Sequence, residues 1–121
     1  MLQIVFNRIS AAEMSKLDTL TQLDLLNEFN FDTEALEKLP QQQSFGKIER
    51  SGRTLYRYRA KDYRLYFEVA DGNVIIHRVL HKNTLEDFLY RSKLPLSEDE
   101  AVGKSRVFWN LIEEGKRAGR V

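Results

Sequence analysis

The sequence predicts an α+β fold in which an N-terminal strand and a helical pair pack on an antiparallel sheet, with additional C-terminal helices. Three observations carry this expectation. Apolar residues recur at helical spacing before Pro40, whereas beyond Ser44 they alternate with period two and become aromatic and β-branched. Turn signals then divide that second half into hairpins, of which Asp71-Gly72 is the clearest. The length of 121 residues suits one modest core rather than two separate ones. A composition of 42% hydrophobic and 31% charged residues agrees with a globular chain and excludes a disordered one.

The elements follow in order. Leu2, Ile4 and Phe6 alternate as a strand, and Ser10 with Glu13 has the spacing of a capping box that starts a helix carrying Ala11, Met14 and Leu17. Thr19 and Gln22 repeat that spacing ahead of Leu20, Leu23 and Leu26, so a second helix closes around Asn27 to Phe29. A short third turn runs from Thr33 to Leu39, and Pro40 ends it because its ring removes a donor. Four strands are expected at Phe45–Arg50, Arg53–Arg59, Tyr63–Val69 and Val74–Leu80, the first two joined through Ser51-Gly52. Thr84 caps a helix from Leu85 to about Ser92, and Ser97 with Glu100 opens a single terminal helix bearing Ala101, Ser105, Phe108, Trp109, Leu111 and Ile112, which Gly115 and Gly119 end. Residues 1–94 thus form the domain and 95–121 a helical extension that packs on it or on a partner.

The net charge of +1 conceals a strong polarity. From Ser10 to Pro40 seven acidic residues face two lysines, and from Lys47 to Arg64 seven basic residues face two acidic ones. Such a distribution steers a polyanion to one part of the surface. The absence of cysteine excludes disulfides, zinc-thiolate sites and a cysteine nucleophile. No signal-like or membrane-length apolar run is present, so a cytoplasmic location is expected. No metal-ligand spacing or phosphate loop occurs, and no cofactor or metal is expected.

The strings Leu55-Tyr-Arg-Tyr-Arg59, Asp62-Tyr-Arg-Leu-Tyr-Phe-Glu68 and Arg78-Val-Leu-His-Lys82, in the order strand, helix, helix, meander, helix, resemble the RelE/ParE toxin superfamily over about Leu2 to Arg91. For RelE-type members the resemblance implies a ribosome-dependent endoribonuclease that cleaves messenger RNA, with RNA and the ribosome as partners and an antitoxin docked on the helical pair. Carried over by position, it assigns catalytic or phosphate-binding roles to Arg57, Arg59, Arg64 and Lys82, with His81 beside them and Tyr90 as the nearest counterpart of the family's functional tyrosine. ParE-type members imply inhibition of DNA gyrase instead, and a catalytically inactive interaction module is a further alternative.

The residues themselves suit metal-independent 2′-hydroxyl attack on RNA. Arg57 and Arg59 share a face by alternation, and with Arg64 they can hold a phosphate and stabilise the charge that develops on it. His81 offers an imidazole that can move protons, with Glu49 or Glu68 as less favoured bases. Lys47, Arg50, Arg53 and Lys61 are read as positioning contacts for RNA, and His77 as structural. Tyr56, Tyr58, Tyr63 and Tyr66 are read as packing residues before base-stacking ones.

Overall fold

The computed structural model describes residues 3–28, 45–50, 52–60, 62–84 and 98–119. The expected third turn, Ser51, Lys61, the helix around Tyr90 and Ser97 lie outside them, apart from the helical start at residues 82–84. The elements are β1 (Gln3–Phe6), α1 (Arg8–Ser15), α2 (Thr19–Glu28), β2 (Phe45–Arg50), β3 (Arg53–Ala60), β4 (Tyr63–Ala70), β5 (Asn73–His81), α3 (Glu98–Gly103) and α4 (Arg106–Arg117). The strands form one sheet in the order β1-β5-β4-β3-β2. The meander is antiparallel as expected, whereas β1 joins β5 in parallel, making the sheet mixed.

Alternation sends two sets of side chains to opposite faces. Phe45, Tyr58, Leu65, Phe67, Val74, Ile76 and Val79 pack with Met14, Leu17 and Leu25 from the helical pair. Ile48, Leu55, Tyr66 and Leu80 pack instead with Val102, Phe108, Trp109 and Ile112 from α3 and α4. The sheet is therefore covered on both sides, and the C-terminal helices close its second face. The β4–β5 turn is the one the sequence signals: Asp71 and Gly72 have φ of 51° and 76°, the two positive values a tight right-twisted hairpin requires.

Four local expectations are corrected. Helix α1 begins before Ser10, because Asn7 is its cap: Asn7 Oδ1 accepts from Ser10 N at 2.7 Å and Ser10 Oγ accepts from Asn7 N at 3.0 Å. Asp18, not Thr19, caps α2, its carboxylate accepting from Thr21 N and Oγ1, both at 2.8 Å. The terminal segment is two helices, since Ser105 is extended and caps α4 by accepting from Phe108 N. Gly115 does not end α4 but lies inside it against β5, and the helix runs to Arg117 with Ala118 as its C-cap.

The long edge of β5 shows why α1 and α4 meet there. β1 pairs only as far as Ile76, which leaves the next backbone groups of β5 without a strand neighbour on that side. Side chains replace the strand. Asn7 Nδ2 donates to the carbonyls of Ile76 and His77, and the Glu13 carboxylate accepts from Val79 N at 3.0 Å. Glu13 also receives both Arg78 Nε and Nη2, while Arg78 Nη1 donates to Leu111 O of α4. One arginine and one glutamate thus join α1, β5 and α4, and Arg8 N closes the same junction by donating to Gly119 O at 2.9 Å.

Candidate functional site

The arginine-rich strands meet in register. Arg59 and Arg64 are Cα partners across β3 and β4, and Arg57 lies two residues from Arg59, so the three side chains share one face. It is the face of Leu55, Tyr66 and Leu80, towards α3 and α4. Their exposure differs. Arg59 is exposed, but Arg57 and Arg64 retain only 5% and 7% of their accessible surface. Both are engaged in the fold; one Arg64 contact is Nη1 donating to Tyr63 O at 3.1 Å.

His81 is on the other face. Its Cα partner is Tyr63, against whose ring the imidazole packs edge-on with centroids 5.1 Å apart, and its Nδ1 accepts from Asn83 N at 3.1 Å. The cause is a β-bulge. Tyr66 pairs with Arg78 but Phe67 pairs with Ile76, so His77 is an extra residue and every later side chain of β5 changes face relative to β4. Lys82 follows at the same end of the sheet, where its Nζ lies 3.3 Å from the Asp62 carboxylate and its backbone N–H donates to Asp62 O. Arg59, Arg64, His81 and Lys82 are therefore close in the fold yet divided between the two sides of the sheet.

The residues expected to position RNA are dispersed. Lys47 is on the edge strand and paired with Glu49 at 2.9 Å; the hydrogen bond and the charge of Glu49 hold its ammonium above the ordinary lysine value. Arg50 and Arg53 are at the far end of the sheet, about 20 Å from Arg59 at ordinary strand rise, and their guanidinium groups lie 5.9 and 5.5 Å from the Trp109 ring centroid. Burial works against the charge of Arg53, but the hydrogen bonds it donates to Glu113 and Glu68 outweigh that cost and raise the group further. The same hydrogen bond draws the Glu113 carboxyl below its usual range. Tyr90 and Lys61 lie outside the described residues.

Glu68 also faces His77 Nε2 at 3.3 Å. Burial lowers the proton affinity of His77, Glu68 partly restores it, and Arg53 lowers it again, so the neutral imidazole is favoured. Sequence reasoning did not single out Asn7, Glu13, Glu113 or Trp109 as organisers. The partners of Asn7, Glu13 and Glu113 are distant in the chain, and local spacing carries no signal of them. Among the described residues no group of three His, Asp or Glu side chains is placed to hold a metal, and no helix is long and apolar enough to cross a membrane.

This five-stranded sheet, with a helical pair between its first strand and the meander, is the architecture of the RelE/ParE superfamily of small toxins. Within it, the family model described as the ParE toxin of the type II toxin-antitoxin system parDE matches residues 9–85, and the chain belongs to that family. Membership implies an antitoxin as partner. No curated protein and no solved structure matches the chain.

Proposed function

We propose that the chain is a ParE-type toxin that acts by occupying a protein target, DNA gyrase, and that an antitoxin silences it. The observation that supports this reading over RNA cleavage is the division of charge across the sheet. In-line attack by a 2′-hydroxyl requires a proton acceptor and cationic groups to converge on one phosphate within hydrogen-bond reach. His81 is separated by the sheet from Arg57, Arg59 and Arg64, and two of those guanidinium groups are buried. A toxin that works by docking needs no such convergence.

Antitoxin docking on the helical pair is supported by α2, where Leu20, Leu23 and Leu26 are 72%, 52% and 45% exposed. Large apolar side chains in a row on an exposed helix suit a partner helix. The deciding experiment gives purified protein to gyrase in a supercoiling assay and, separately, to ribosomes programmed with messenger RNA. Loss of supercoiling without new transcript ends is the expected result. New transcript ends with unaffected gyrase would replace this reading with the endoribonuclease one.

A further inference from the structure

A cleft of about 390 Å³ lies between the β2–β3 turn and α4, lined by Arg50, Arg53, Arg106, Trp109, Asn110 and Glu113. Its size is within the ordinary range for small-molecule sites. Four of its six residues lie beyond the part of the chain matched to the toxin family. The helical pair proposed to receive an antitoxin packs on the other face of the sheet, so a ligand bound in this cleft would not occupy that surface.

Its charges are not equivalent. Arg53 is committed: Nε donates to Glu68 Oε1 at 2.7 Å, and Nη1 is bonded to Glu113. That pairing neutralises the one carboxylate in the lining and fixes the back of the cleft. Arg50 and Arg106 are exposed and have no ion-pair partner among the described residues. Arg50 is nevertheless oriented, because its guanidinium lies over Trp109. A guanidinium on an aromatic face keeps its N–H fork directed outward in its own plane, free to receive two oxygens of a tetrahedral anion.

The platform beneath it is rigid. Trp109 is buried, donates from Nε1 to Gly103 O at 2.7 Å and packs edge-on against Phe108. Arg106 lines the cleft from the first position of the 12-residue helix α4, whose positive end adds to the attraction for an anion. Asn110, one turn on, supplies a donor and an acceptor at the rim.

We propose that this cleft binds a small phosphate-bearing ligand of about mononucleotide size, with the phosphate held between Arg50 and Arg106. A continuous polyanion fits less well, because the exposed Glu49 carboxylate lies beside Arg50 and Arg53 on the adjoining surface. An acidic peptide would offer planar carboxylates, each able to satisfy one fork, whereas a tetrahedral phosphate can engage two forks at once.

Trp109 is the only tryptophan of the chain, so its fluorescence reports directly on the cleft. AMP, inorganic pyrophosphate, adenosine, an octathymidylate and a glutamate-rich peptide are titrated at constant ionic strength. Saturable changes with AMP and pyrophosphate at roughly millimolar concentration or below, and none with adenosine, are expected. Arg106→Gln alone, and Arg50→Gln with Arg106→Gln, should weaken AMP about tenfold or more while leaving the thermal midpoint unchanged, both side chains being exposed. No saturable change up to about 10 mM AMP, or undiminished affinity in the double variant, would overturn the site. Octathymidylate or the peptide binding about a hundredfold tighter than AMP would overturn the ligand class.

Discussion

Replacing Gly115 by alanine tests whether α4 is seated on the sheet as an integral part of the core. In a solvated helix this change is favourable by about 1 kcal/mol, because glycine loses the most backbone freedom on folding. Here the added Cβ would lie 2.1 Å from His77 O, 2.9 Å from His77 C and 3.0 Å from Arg78 Cδ. The nearest two atoms are backbone, so no rotamer change relieves the clash. Ordinary contact requires α4 and β5 to separate by roughly 1 Å, with overpacking costing about 1–3 kcal/mol. Separation also strains the bonds from Arg78 Nη1 to Leu111 O and from Arg8 N to Gly119 O, each contributing about 1 kcal/mol. After subtracting the propensity gain, Gly115→Ala should destabilise by about 2–4 kcal/mol, a fall of roughly 10 °C in Tm for a domain of this size. Urea unfolding measures the change, and Gly119→Ala is the control, since its Cβ would meet only Arg8 Nε at 3.7 Å. A midpoint for Gly115→Ala equal to or above that of the parent would refute the seating of α4 on β5.

Glu13→Ala should cost about 2–4 kcal/mol, because it strips the acceptor from Val79 N and leaves the largely buried Arg78 without its main partner; a double-mutant cycle with Arg78→Met should recover a coupling of about 1–3 kcal/mol. His77 has a proton affinity lowered in the fold, so the unfolded chain takes up its proton first as pH falls; the stability this provides is complete above pH 6.5 and is lost on acidification through the folded-state value. Urea midpoints between about pH 7.5 and 5 should therefore decline in the parent and be flatter in His77→Gln, and identical slopes would exclude His77 as the source. Arg59→Ala should leave stability within about 0.5 kcal/mol, whereas Arg57→Ala and Arg64→Ala should each cost about 1–3 kcal/mol; equal effects at all three would contradict their different burial.

The strands were legible because their information is local. Period-two alternation placed β2 to β5 within a residue or two, and Asp71-Gly72 fixed the last hairpin. The same alternation put Arg57 and Arg59 on one face. The burial of Arg57 beside an exposed Arg59 was not legible, because it depends on what covers the face and not on the strand. The helix starts failed for a different reason. Asn7 and Ser10 have the same spacing as Ser10 and Glu13, so the pattern admits either pair, and Glu13 is drawn away by Val79 and Arg78, more than sixty residues along the chain. Ser105 interrupts the terminal helix because its side chain is more useful as a cap to Phe108 than in a helix interior.

One inserted residue decides which chemistry the sheet can present. Without a bulge, the register set by Ala70 opposite Asn73 would continue to place Arg64 opposite Val79, and His81, two residues beyond Val79, would share the arginine face. With His77 as the extra residue, Arg64 lies opposite Leu80 and His81 turns to the helical-pair side. The bulge is held by contacts from several elements. Asn7 Nδ2 donates to His77 O, the bare Cα of Gly115 lets α4 approach the same carbonyl, and the His77 ring is enclosed beside Glu68 and Arg53. Those anchors come from the start of α1, from α4 and from the neighbouring strands, so the register of β5 is a property of the whole assembled core. Cap, bulge and C-terminal helix are therefore coupled: loosening α4 through Gly115 removes a constraint on the register that separates His81 from Arg57, Arg59 and Arg64.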